Sequence, residues 1–332
     1  MQRRTWLRGV GAAAVGFGVG VLPGRAAAAT SVRIATLAGK ASPWGRVLTS
    51  WAKHVAEDSG GALELQISFG ATHGDEAAIV GKMRGGQLDG AAVTGVGLGE
   101  VYKPILALQM PGLFSSWAKL DSARQALTSE FQKGARAAGF SIAGWGDVGL
   151  ARTLSRGVAV GGPEDLKSTR AWADPSSFNT RALYAAIGGV SEVGVSVPEV
   201  QAQLLAGAID VVPSSCLAAE QLGWADGLDH LSDMVVGVQI GAIVLTREAV
   251  TGLPSDLRSI LLDTGKHASS ALQAKIRAED DAAYARMKAK AAVHSPSRAE
   301  RDRWATVFKA ARAQLASATF PSALVSKLES FA

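Results

Sequence analysis

GKMRGGQLDGAAVTGVGLGEVYKPILALQMPGLF, residues 81–114, holds the end of a helix, its stop, a buried strand and a glycine-rich turn in quick succession. Asp75 to Arg84 reads as the helix and Gly85-Gly86 as its stop. Leu88 to Val93 is a short apolar strand, and Thr94-Gly95 opens the loop after it. A helix that stops and hands directly to a buried strand is the pattern of an α/β protein with a parallel sheet.

The flanking sequence repeats the unit. Ser31 to Leu37 reads as a first strand. Ser42-Pro43 combines an N-cap with proline at the first helical position, and Trp44, Val47, Leu48, Trp51 and Val55 then recur at helical spacing. Leu63, Leu65, Ile67 and Phe69 alternate with Glu64, Gln66 and Ser68, as a half-buried strand does. Open α/β sheets bind ligands at the carboxyl ends of their strands. That rule places Trp44, Thr72-His73, Thr94-Gly95 and Leu113-Phe114 near one rim.

Beyond Gly139 the chain reads as a second lobe, with strands at Ile142–Gly144, Ala151–Ser155 and Val158–Val160. A strand and loop over Asp165–Asp174 precede a helix at Ser177–Ile187. Val193–Val197 is a further strand, Pro198 starts a helix over Glu199–Leu205, and Ile209–Val212 runs into a loop at Pro213-Ser214-Ser215. Apolar Ile240–Leu245 marks a return to the first lobe. After Leu253-Pro254-Ser255, with Ser255 as cap, one helical pattern continues to about Ala291, long enough to bridge two lobes. The acidic run Glu279-Asp280-Asp281 on it reads as a solvated face. The expected organisation is a leader at 1–29, lobe I at 30–140, lobe II at 141–239 and a return to lobe I at 240–253. A bridging helix at 254–291 and C-terminal helices on lobe II at 292–332 complete it.

The first thirty residues fix the compartment. QRRTWLR at 2–8 is close to a twin-arginine pattern, Gly9–Leu22 is a weakly apolar run too short to span a bilayer, and Arg25-Ala-Ala-Ala-Ala offers small residues for cleavage. Removing Arg3, Arg4, Arg8 and Arg25 lowers the net charge from +5 to +1. The remaining chain gives no electrostatic reason to expect nucleic acid as a partner. The lone Cys216 excludes an intramolecular disulfide framework and reads as a buried apolar residue. His54, His73, His230, His267 and His294 form no metal-ligand spacing, and there is no nucleophile elbow. Gly95-Val-Gly-Leu-Gly99 lacks the full dinucleotide fingerprint. The reading is a binding protein, not an enzyme, with no cofactor and no metal.

Several ordered segments carry a resemblance: Arg33-Ile-Ala-Thr with Ser42-Pro43-Trp44-Gly45, Gly85-Gly86-Gln-Leu-Asp89-Gly90, Pro111-Gly-Leu-Phe114, Gly161-Gly-Pro-Glu-Asp-Leu-Lys167, Pro198–Asp210 and Leu253-Pro-Ser-Asp-Leu257. In this order they resemble the extracytoplasmic solute-binding receptors of tripartite ATP-independent periplasmic (TRAP) transporters. The resemblance implies two α/β lobes that close on a ligand about a hinge. It also implies a periplasmic location, a small-molecule ligand, delivery to the membrane subunits of a TRAP transporter, and a monomer or homodimer. A receptor feeding a sensor or accessory protein is the alternative.

In typical members the strand after the Asp-Leu-Lys element carries an arginine that grips a carboxylate with both ends of its guanidinium. Counting from Asp165-Leu166-Lys167 puts that position at Trp172, with Arg170 two residues earlier on the same strand face. Arg152 matches another family arginine that reaches the cleft; its alternative role is an ion pair with Asp147. The loop from Val211 to Ser214 is less polar than is usual there. Trp44, His73, Thr94, Gly95, Phe114, Arg152, Trp172 and Ser214 are the expected ligand-binding residues. The expected ligand is hydrophobic or a monocarboxylic acid rather than a C4-dicarboxylate.

Overall fold

Residues 29–332 are described by a computed structural model; the leader read at 1–29 lies outside them except for its last residue. The strands are β1 (Thr30–Thr36), β2 (Leu63–Phe69), β3 (Gly90–Thr94), β4 (Phe140–Ser155), β5 (Arg170–Ala173), β6 (Ser191–Gly194), β7 (Val211–Ser214), β8 (His230–Ser232), β9 (Gly237–Thr246) and β10 (Ala292–His294). The helices are α1 (Pro43–Asp58), α2 (Glu76–Arg84), α3 (Gly95–Tyr102), α4 (Trp117–Ala137), α5 (Phe178–Ile187), α6 (Val200–Leu205), α7 (Cys216–Gln221), α8 (Arg247–Thr251), α9 (Ser255–Lys290), α10 (Arg298–Ala318) and α11 (Ser322–Glu329).

Two half-sheets share one crossing strand. The order is β2-β1-β3-β9-β4-β7-β5-β6, parallel at β2-β1-β3 and at β7-β5-β6, and antiparallel at the two strands between. The strands expected separately at Ile142–Gly144 and Ala151–Ser155 are one 16-residue strand. Its residues 140–151 pair with β9, and 152–155 pair with β7. Two register shifts interrupt the first ladder, between Ile142 and Gly144 and between Asp147 and Gly149. Such irregularities bend a strand and increase its twist, and here they lie where the chain passes between half-sheets.

The local reasons are those of the sequence. Ser42 accepts from Gly45 N–H, with Pro43 opening α1, and Asp75 caps α2. Ser255 is the first residue of α9 rather than its cap. α9 packs along α1 and β4, with Trp51 Nε1 donating to Thr264 Oγ1 at 3.0 Å. Asp280 departs from the expected solvated run. It is buried and accepts from Leu150 N–H of β4 and Leu217 N–H of α7, so α9 holds the crossing strand from behind.

The C-terminal helices do not sit only on the second half. Trp304 and Phe308 of α10 join the core around Leu166, Leu183 and Val211. Leu315 of α10 and Leu324 and Leu328 of α11 join the core of the first half. Gly112 makes this docking possible. It adopts φ +60°, and a Cβ there would lie 2.1 Å from the Phe308 ring, so only glycine fits both backbone and neighbour.

Candidate ligand-binding cleft

The parallel strands of both halves end at one crevice. Thr36 and Thr94 finish β1 and β3, Ala173 and Ser214 finish β5 and β7, and the residues beyond them face each other. The inner part of the cleft, about 140 Å³, is lined by Thr94, Gly95, Trp172, Asp174, Asn179 and Ser214, among others. An outer part of about 450 Å³ opens beside Trp44 and Glu76 and shares Thr94, Val148, Val197, Ala218 and Leu222 with the inner one. A third compartment, lined by Glu76, Val96, Asp174 and Ser176, joins the two.

Five of the eight expected residues meet here: Trp44, Thr94, Gly95, Trp172 and Ser214. Trp44 spans the halves, its Nε1 donating to the Asp147 carbonyl of β4 at 3.1 Å. Trp172 is anchored by Nε1 donating to Val195 O at 2.8 Å and packs edge-to-face on Trp224, centroids 5.3 Å apart. Gly95 leaves room for the Gln109 amide, whose Nε2 would lie 2.0 Å from a Cβ at that position.

Three expected residues are elsewhere. His73 ends a single 3-10 turn and contributes its carbonyl to Lys82 Nζ; it lines none of the three compartments. Phe114 is 1 % exposed and belongs to the core of the first half, drawn inward by the turn that docks α10. Arg152 also lines no compartment. Its guanidinium lies 3.8 Å from the centroid of the Tyr284 ring on α9 and donates weakly to Leu150 O. Arg152 does not pair with Asp147, whose partners are Arg124 (2.6 Å) and Arg277 (2.7 Å).

Arg170 does not replace a clamp. Asp210 holds it through Nε at 2.8 Å and Nη2 at 2.6 Å, and accepts from its backbone N–H as well. Arg33 and Asp89 make the same three bonds in the other half. Arg170 opens β5 and Arg33 is the fourth residue of β1, and each holds the aspartate immediately before the neighbouring parallel strand, Asp210 before β7 and Asp89 before β3, away from the strand ends that face the cleft.

Sequence reasoning missed Asp174, Asn179, Gln109, Gln239, Phe178 and Trp224, all of which line the inner part, and Glu76, which lines the outer. The carboxyl-end rule, applied to the loop after β5, points to Asp174 and the start of α5; the other positions have no local signal. Asp174 Oδ1 accepts from Ser176 N–H and Oγ. Glu76 accepts from Thr94 N–H, Thr94 Oγ1 and Gly97 N–H at 2.7–2.8 Å, so a carboxylate of the protein already occupies the N-terminus of α3. Burial pushes the Glu76 carboxyl above the usual range against these hydrogen bonds, and Asp174 adds to the rise. Burial likewise pushes the Cys216 thiol up to about 12, so it is no nucleophile.

Among the described residues, those lining the three compartments include Asp75, Glu76 and Asp174 and no Lys, Arg or His. No group of three or more His, Cys, Asp or Glu among the described residues could hold a metal ion, and none of their helices is long and apolar enough to cross a membrane. The site offers shape, aromatic faces and hydrogen bonds.

Two half-sheets joined by a crossing strand, a long backing helix and a cleft at the strand ends define a two-lobed solute-binding protein. The chain belongs to the bacterial extracellular solute-binding protein family 7, whose sequence model matches residues 34–318. This is the TRAP receptor family expected above, and its members are periplasmic. The sugar-acid-binding protein of Advenella mimigardefordensis, solved with galactonate, is similar with a TM-score of 0.85 and 11 % identity, covering 91 % of this chain and 97 % of its own. A Bordetella pertussis extracytoplasmic solute receptor binding pyroglutamic acid gives 0.83 at 18 %, over 91 % and 99 %. A TRAP periplasmic solute-binding protein of Sulfurospirillum deleyianum with bound succinate gives 0.83 at 15 %, also over 91 % and 99 %. No curated protein sequence matches.

Proposed function

We propose that this receptor captures a small organic ligand between its lobes and delivers it to the membrane subunits of a TRAP-type secondary transporter. The observation that carries the reading is the cleft between the half-sheets, walled by Trp44, Trp172, Phe178 and Trp224. Aromatic and aliphatic walls bind by excluding water, at about 25 cal/mol per Å² of apolar surface covered, and a few polar groups fix orientation. Closure about β4 and α9 makes the loaded state differ in shape from the empty one, which is what a membrane partner can sense.

The expected preference for a largely apolar ligand over a C4-dicarboxylate is retained: a dianion entering this cleft meets carboxylates and no cationic side chain among the lining residues. Relatives solved with succinate, pyroglutamic acid and galactonate support the acid half of the expectation, although neither Arg152 nor Arg170 reaches the lining. Native mass spectrometry of protein purified without denaturation tests the receptor reading. A small organic molecule that is released on unfolding, and that contracts the stripped protein in X-ray scattering when added back, is the expected result. No co-purifying molecule and no contraction with any solute would refute it.

A further inference from the structure

Resting on the receptor reading, we infer that the ligand is a monocarboxylic acid whose carboxylate is held by the side-chain amides of Gln109 and Gln239, two neutral donors, with its carbon skeleton against the aromatic wall. Neither glutamine carries a signal in the sequence. Both line the inner compartment.

The backbone turns both amides the same way. β3 ends at Thr94, opposite Gly241 of β9. Ile240, the next residue of β9 beyond that end, donates its N–H to Gln109 Oε1 at 2.8 Å. β7 ends at Ser214, opposite Arg152 of β4. The N–H of Ser215, the residue after it, donates to Gln239 Oε1 at 3.0 Å. On each side of the crossing pair β4-β9, a backbone donor just past a strand end is taken by a glutamine oxygen. Flipping either amide would set N–H against N–H, so each oxygen is fixed on the backbone side. What remains for the cleft is Nε2, which can only donate. Among the described residues neither Nε2 makes a hydrogen bond, since the one side-chain bond of each glutamine is made by its oxygen.

Gly95 supports the same reading. It lies in the lining, and a Cβ there would come 2.0 Å from Gln109 Nε2, so glycine makes room for the donor end of that amide where α3 meets the cleft. The third amide of the compartment, Asn179, is turned the opposite way: its Nδ2 donates to Leu106 O, and its Oδ1 has no partner among the described residues. The usual anion site at the start of α3 is closed, because Glu76 takes the Thr94 and Gly97 N–H groups. Two amide N–H donors to an ionised carboxylate form charge-assisted bonds and favour its charged form without a cation. A second carboxylate would meet Asp174, the one charged side chain lining the inner compartment among the described residues, which restricts the ligand to a monoacid.

The test is calorimetry at pH 8 on the ligand-stripped, refolded protein with three monocarboxylates, pyroglutamate, galactonate and 3-phenylpropionate. Each is paired with the primary alcohol of the same skeleton: pyroglutaminol, galactitol and 3-phenylpropan-1-ol. At least one carboxylate is expected to bind, and more tightly than its alcohol. Gln109→Glu and Gln239→Glu each keep an oxygen for the backbone N–H and replace the free donor by a second anionic oxygen. Each should weaken that carboxylate about tenfold or more and leave its alcohol unchanged, as loss of a charge-assisted bond does. Gly95→Ala, which displaces the Gln109 amide without adding a charge, should weaken the same carboxylate; thermal unfolding without probes shows that all three variants fold. Carboxylate affinity unmoved by the Gln→Glu changes, or lowered by them but not by Gly95→Ala, overturns the inference and leaves the receptor reading standing. No binding by any of the three carboxylates also overturns it, and the co-purified molecule then decides the receptor reading separately. A co-purified solute without a carboxylate would sink the inference alone.

Discussion

Asp147→Asn is expected to be among the most damaging single changes in the protein, because among the described residues it strips the only directly bonded anion from a buried cation at the crossing strand. Asp147 is fully buried at the second register shift of β4. Its Oδ1 accepts from Arg124 at 2.6 Å and its Oδ2 from Arg277 at 2.7 Å. The two arginines do not suffer equally. Arg277 keeps a second carboxylate, Asp121, bonded through both Nη atoms at 2.7 Å. Arg124 keeps the Trp145 ring, 5.4 Å away, and the Asp121 carboxylate nearby without a direct bond, and its Nε and Nη1 already lack partners among the described residues. Removing one member of a buried pair costs about 3–5 kcal/mol because the other charge stays buried. Most of that loss belongs to Arg124, so Arg124→Met/Asp147→Asn should recover part of it, with a coupling of about 1 kcal/mol or more. Urea unfolding with a common slope measures both values. A loss below about 1 kcal/mol for Asp147→Asn, typical of exposed pairs, would refute the claim that this network secures the crossing strand.

Three further outcomes are expected. Trp172→Ala should weaken the co-purified solute about tenfold or more by calorimetry, whereas Arg152→Ala should alter stability and leave affinity unchanged; the reverse order would place the cleft wrongly. Succinate at millimolar concentration should leave the melting temperature unmoved, and stabilisation of the kind saturating ligands give would show that a carboxylate clamp exists after all. Glu76 has a folded pKa raised by burial, so the folded state holds this proton more tightly than the unfolded chain. Its contribution to stability falls as pH rises above the ordinary glutamate value of 4.5. Glu76→Gln should therefore flatten the stability-against-pH curve above that value relative to wild type, and parallel curves would contradict the assignment.

The units that repeat a simple period were legible in the sequence. Leu63, Leu65, Ile67 and Phe69 alternate as β2 does, and the Ser42-Pro43 cap starts α1 where it should. β4 was not legible as one strand because Gly144, Gly146 and Gly149 interrupt its pattern. A Cβ at these glycines would meet Ser269 of α9, Trp44 of α1 and Ser215 beside α7, contacts made by residues distant in sequence. The arginines misled for the same reason. Arg170 is claimed by Asp210, forty residues on, and Arg152 by the face of Tyr284. Spacing along a strand says which side a residue faces, but not which distant partner takes its charge. Trp224, fifty-two residues beyond Trp172, is brought against it only by the fold.

The most direct test is a crystal structure of the protein purified under native conditions, without stripping or added solute. The account predicts a small organic molecule in the inner cleft, in contact with Trp172 and Asn179, with the lobes closed over it. A carboxylate gripped by Arg152 or Arg170, or a ligand bound outside this cleft, would contradict it.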